Sequence, residues 1–132
     1  MDDLVIETLR FFARESQVRV VRRWVGKLLD GHPQCDDAVA VASELAANAV
    51  MHSRSGAGGT FEVTVVIGPG ETWLYVIDGG SAESVPHIPH QRQADEATSG
   101  RGLEIVSVLS SRWGYEPGRN CGMTWCQLAQ AS

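Results

Sequence analysis

The spacing of apolar residues changes several times along the chain. Between Leu4 and Phe12 apolar and polar residues mix without helical spacing, which predicts an edge strand. Val18, Val21, Trp24, Val25, Leu28 and Leu29 then recur three and four residues apart, the spacing of a helix. Ser16 is its expected N-cap, and Gly31 with Pro33 ends it. A second helix is expected from just after Asp36 to about Ser53, where Gly56, Gly58 and Gly59 break the pattern. Phe61, Val63, Val65 and Ile67 alternate with Glu62, Thr64 and Val66, as in a strand. Gly68-Pro69-Gly70 reads as a turn, and Trp73 to Ile77 as a strand apolar on both faces. Residues 79–100 carry Pro86 and Pro89 and little apolar content. Loops beyond roughly 12–15 residues are uncommon in compact domains unless functional or disordered. Leu103, Ile105, Val106 and Leu109 mark a third helix, and Trp113–Glu116 with Met123–Leu128 a closing hairpin. This order predicts an α+β fold, a two-layer sandwich with about three helices on one face of a mixed, mostly antiparallel sheet.

Composition narrows the class without naming a function. The 132 residues are 43% hydrophobic and 20% charged, which suits one globular domain spanning 1–132. The net charge of −5 disfavours a direct nucleic-acid partner, since phosphate backbones select basic surfaces. No apolar run approaches the roughly 18–20 residues that span a bilayer. With the acidic opening Met1-Asp2-Asp3, this predicts a cytoplasmic protein without a membrane partner. Cys35, Cys121 and Cys126 form no CxxC pair and read as reduced core thiols, the last two on opposite faces of one strand.

Three stretches could carry chemistry. In ELAANAVMH, Glu44, Asn48 and His52 stand four residues apart, within about 80° of one another on a helix. Asp37 extends the row, and no Lys or Arg occurs between Asp36 and Ser53. A narrow solvated stripe on a core helix explains the row taken alone. The chemical alternative uses Asn48 as a hard oxygen ligand for Mg²⁺ and Glu44 as a proton acceptor. His52 reads as a structural residue closing the helix. In YVIDGGSA, Asp78 ends a strand before Gly79-Gly80. It is either a plain Asp-Gly turn or a carboxylate that accepts a hydrogen bond from an exocyclic amine, with Gly80 admitting a flat ring. In TSGRGLEIV, Gly100 and Gly102 flank Arg101 where a loop enters a helix, which is either a hinge or an anion site. His87 and His90 lack partners at zinc spacing. Arg19, Arg22 and Arg23 gather on the first helix, as a solvated face or a protein-docking patch.

Taken in order, the three stretches resemble the GHKL (Bergerat-fold) ATP-binding superfamily, and within it bacterial anti-sigma-factor serine/threonine kinases and their actinobacterial relatives. Glu44 and Asn48 match the N-box, Asp78 and Gly80 the adenine box, and Gly100, Arg101, Gly102 and Leu103 the later glycine box. Arg112-Trp113-Gly114 and Thr124-Trp125 resemble the closing strands. The resemblance implies ATP and Mg²⁺ as cofactors, Asn48 as the Mg²⁺ ligand, Glu44 as the base, and Thr124 beside the adenine-binding Asp78. It also implies an ATP lid at 79–100, a protein partner (a sigma factor, an anti-sigma-factor antagonist, or both) and a tendency to dimerise. Ala82 departs from the family's second adenine-box glycine, and 79–100 is short for a lid, with no lysine. These departures leave a non-catalytic ATP-binding interaction module as the alternative.

Overall fold

The computed structural model describes residues 4–52, 59–78, 104–117 and 122–129. It contains β1 (Val5–Phe12), α1 (Ser16–Leu28), α2 (Cys35–His52), β2 (Thr60–Gly68), β3 (Glu71–Asp78), β4 (Ser110–Pro117) and β5 (Gly122–Leu128). Residues 104–109 form a further helical segment before β4. The five strands form one sheet in the order β1-β2-β3-β5-β4. Every neighbouring pair is antiparallel, so the sheet has no parallel component among the described residues.

Strict alternation builds the sheet's two faces. Phe61, Val63, Val65 and Ile67 of β2 are buried, as are Leu74 and Val76 of β3 and Cys126 and Leu128 of β5. These side chains share a face because antiparallel partners point the same way and successive residues point oppositely. Helix α2 lies against β2, β3 and β5, and α1 packs on α2. Ala38, Val41, Ala42, Leu45, Ala46 and Ala49 of α2 are buried, and their small size lets the helix sit close to the sheet. Val21 and Val25 of α1 complete the layer beside Phe11, whose ring stacks on Phe61 at 5.5 Å and meets Trp24 edge-on. β1 is the predicted edge strand, and Phe11 is its only buried residue. On the opposite sheet face Trp73 stacks with Tyr75 and Trp125, and the Arg112 guanidinium lies 5.7 Å from the Trp73 ring centre.

The element boundaries correct the expected ones in two places. Ser16 is the first helical residue of α1 rather than its cap; Glu15 holds the cap position without a side-chain hydrogen bond. Helix α2 starts at Cys35, ahead of the expected start after Asp36. The Ala38 amide already donates to the Gln34 carbonyl, so the helical ladder begins before the apolar pattern does. The turn between β2 and β3 places Pro69 before Gly70 at φ 72°, the order a type II turn takes, because only glycine enters that region without steric cost. Cys121 and residues 79–100 lie outside the described residues. No helix among those described is long and apolar enough to cross a membrane.

A buried polar tie fixes the start of α2 on the sheet. The Thr72 hydroxyl donates to Gln34 Oε1 at 2.7 Å, and Gln34 Nε2 donates to the Ala129 carbonyl at 3.0 Å. His32 Nδ1 accepts from the Gln34 amide, and its Nε2 lies 3.0 Å from the Gly68 carbonyl. Thr72 is fully buried and Gln34 nearly so. Thr72→Val would strand the Gln34 carbonyl, so a loss of about 1–3 kcal/mol is expected. A shift of the urea midpoint at constant m-value measures it.

Candidate functional site

The tie at Gln34 and Thr72 sets the heights of everything further along. From Thr72 to Asp78, β3 climbs about 20 Å at roughly 3.4 Å per residue. Helix α2 needs about fourteen residues at 1.5 Å each to climb as far, which brings it from Gln34 to Asn48. Asn48 and Asp78 therefore stand at the same end of the sandwich, one on the helix and one on the strand beneath it. Both are buried, with relative exposures of 9% and 8%. Glu44 sits one turn back on α2 and is half-buried, between the core and the exposed side of the helix.

Asn48 is the most informative of these. A buried amide ordinarily finds hydrogen-bond partners, because leaving it dry and unpaired costs free energy. Among the described residues the Asn48 side chain has none, and neither does the Glu44 carboxylate. The stripe on α2 is thus not uniformly wet. It turns a carboxylate outward and holds an amide, one turn on, at the edge of the core.

The sheet builds the floor beneath them. Asp78 pairs in register with Phe61 on one side and Gly122 on the other. Thr124 pairs with Val76, so it is the diagonal neighbour of Asp78 on the helix-facing side. It is buried, with 8% exposure. Strand register thus places Thr124 beside Asp78. Gly122 leaves the position opposite Asp78 without a side chain, and Tyr115 fills the space. A Cβ at position 122 would stand 2.8 Å from Tyr115 Cε1 and Cζ and collide with the hydroxyl. Tyr115 and Gly122 escaped the reading of the sequence. Tyr115 shares a face with Thr124 only through the β4–β5 register, which no local motif announces.

Gly80, Gly100, Arg101, Gly102 and Leu103 lie outside the described residues, as do His87, His90 and the segment 79–100. The described part of the site is therefore Glu44 and Asn48 on α2 above Asp78 and Thr124 on β3 and β5. For Mg²⁺, the donor set fits: one neutral amide oxygen is the kind of sparse protein ligation that this ion takes when phosphates and water complete its shell. Among the described residues no three His, Cys, Asp or Glu side chains gather into a metal-binding group. The two described thiols are no rivals for chemistry. Burial pushes Cys126 up to about 11, and burial, with Asp36 and Asp30 nearby, raises Cys35.

The sequence profile of the histidine kinase-like ATPase domain matches residues 11–125. The chain belongs to this family. Two solved structures share the fold. The RsbU and RsbW domains of Rv1364c from Mycobacterium tuberculosis superpose with a TM-score of 0.64 at 20% identity. That match covers 94% of this chain and 32% of the other, so this chain spans about a third of that protein's length. The SiaB-SiaC complex from Pseudomonas aeruginosa gives a TM-score of 0.64 at 13% identity, covering 92% of this chain and 88% of the other. At such identities the likeness establishes the fold. No curated protein matches the chain. The two-layer α+β reading and the assignment to this ATPase superfamily both hold.

Proposed function

We propose that this single domain binds ATP with Mg²⁺ at the Asn48–Asp78 end and phosphorylates a serine or threonine of a protein partner. The observation that carries this is the buried Asn48 amide, without a hydrogen-bond partner among the described residues, at the height of Asp78, with Glu44 one turn away. The Asp78 carboxylate accepts a hydrogen bond from the adenine amino group, and Thr124 lines the same place. Asn48 offers its oxygen to Mg²⁺, which supplies charge neutralisation for the phosphates. Gly100, Gly102 and Leu103 offer backbone N–H groups to the phosphates, Arg101 adds a cation, and 79–100 closes over the nucleotide. Glu44 takes the proton of the attacking hydroxyl as a new P–O bond forms and the bond from the γ-phosphorus to the bridging oxygen breaks. The products are a phosphoester and ADP. In-line phosphoryl transfer asks chiefly for positioning and charge neutralisation, which such a site can provide.

The two solved relatives support a regulatory setting, one containing an RsbW domain and the other a complex of SiaB with SiaC. By the resemblance to anti-sigma-factor kinases, the partner is an anti-sigma-factor antagonist that accepts the phosphoryl group, a sigma factor, or both. In this reading the chain works in the cytoplasm and forms a homodimer. A second reading, an ATP-binding interaction module without transfer, is favoured by Ala82 and by the lack of lysine in 79–100. Incubation of the chain with γ-labelled ATP, Mg²⁺ and an extract of its native cell separates them. Label on a serine or threonine of one captured protein is expected. ATP binding without label on any protein would leave the module reading in its place.

A further inference from the structure

Asp78 faces two unlike walls on the sheet. Towards β2, register sets Phe61 opposite it and Val63 on its diagonal, both apolar and buried. Towards β5 stand Gly122, which has no side chain, and Thr124 on the diagonal. A carboxylate can only accept hydrogen bonds, and burying one is costly unless donors reach its oxygens. Among the described strand residues, side-chain donors stand on the β5 side of Asp78 and not on the β2 side.

Tyr115 reaches that side from one strand further out. It pairs with Thr124, so Gly122 is its diagonal neighbour, and Tyr115, Gly122, Thr124 and Asp78 share the helix-facing side. The tip of its ring takes the place that a side chain at 122 would fill. A Cβ there would stand 2.8 Å from Tyr115 Cε1 and Cζ, and closer still to the hydroxyl. Gly122 is the register partner of Asp78, so the ring runs from β4 across β5 toward β3, hydroxyl first. Opposed Cβ positions in such a pair lie about 4.5–5.5 Å apart, which brings the hydroxyl within hydrogen-bond reach of a carboxylate turned toward β5. Tyr115 is half-buried and Gly122 buried, so water competes little for that contact.

We infer that Tyr115 is a positioning residue for base recognition: its hydroxyl donates to one Asp78 oxygen and turns the other toward the exocyclic amine of the base. The inference rests on the ATP-binding reading and adds to it the residue that makes the site select an amino-bearing purine. Left unheld, an aspartate rotates broadly about χ2. With one oxygen tied, the carboxylate presents a single acceptor in a fixed direction, as recognition of one N–H group requires. Glycine at 122 belongs to the same device, because a side chain there would push the ring away from Asp78.

The test is calorimetry on the full chain with Mg²⁺, comparing ATP with purine riboside triphosphate, which lacks the exocyclic amine. Tyr115→Phe keeps the ring on Gly122 and removes only the hydroxyl. It is expected to weaken ATP binding about tenfold and to change binding of the analogue by less than about twofold. Asp78→Asn combined with Tyr115→Phe should bind ATP within about twofold of Asp78→Asn alone, because both act through one contact. Gly122→Ala displaces the hydroxyl without deleting it and should show the same selective loss. The inference is overturned if Tyr115→Phe binds ATP as tightly as the unsubstituted chain, or if the losses from the two substitutions multiply. Equal losses for ATP and the analogue also overturn it, since a merely structural tyrosine would give that result. Binding of neither nucleotide by the unsubstituted chain defeats the ATP reading and this inference together. ATP binding that ignores Tyr115→Phe defeats this inference alone.

Discussion

Replacing Glu44 by glutamine is expected to slow phosphotransfer about 10²- to 10⁴-fold, the usual contribution of a positioned general base. ATP affinity should change little. The side chain is half-buried on α2, and among the described residues it holds no hydrogen bond whose loss would disturb the helix. Glutamine keeps its size and helix propensity while removing the ability to take a proton. The effect should therefore appear in kcat and leave the ATP titration in place. Single-turnover transfer to the labelled partner measures the first, and calorimetry the second. Transfer at the unsubstituted rate would remove Glu44 from the chemistry. A parallel loss of ATP binding would make it a binding residue instead.

Asp78→Asn acts on the other half of the site. In the proposed pose its carboxylate accepts from the adenine amino group, and asparagine offers one acceptor and one donor in place of two acceptors. A hydrogen bond involving a charged group is worth about 1.5–3 kcal/mol, so a loss of about ten- to a hundredfold in ATP affinity is expected. The strand should tolerate the change because the two side chains are nearly isosteric. The melting temperature without nucleotide serves as the control. Unaltered ATP affinity would place adenine elsewhere.

Much of this fold could be read from residue spacing because each layer repeats a simple period. The alternation of Phe61, Val63, Val65 and Ile67 specifies a half-buried strand, and the small residues of α2 specify a helix close to the sheet. What spacing could not supply was the relation between distant segments. The start of α2 depends on Gln34 and Thr72, 38 residues apart, whose tie has no local signature. Ser16 looked like a cap because serine often is one, yet the helix begins on it. At the site, the α2 row was legible as a stripe, but its chemistry turned on burial. Only packing shows that Asn48 is buried while Glu44 is half-buried. Tyr115 and Gly122 were hidden for a related reason, since strand register brings them to Asp78.

The central claim is that nucleotide sits between the end of α2 and the ends of β3 and β5. A titration of the ¹⁵N-labelled chain with ATP and Mg²⁺, followed through its amide shifts, tests this most directly. Saturable shifts at Glu44, Asn48, Asp78 and Thr124, smaller when Mg²⁺ is withheld, are the predicted result. Absence of saturable binding, or shifts that leave these four residues unmoved, would contradict the account.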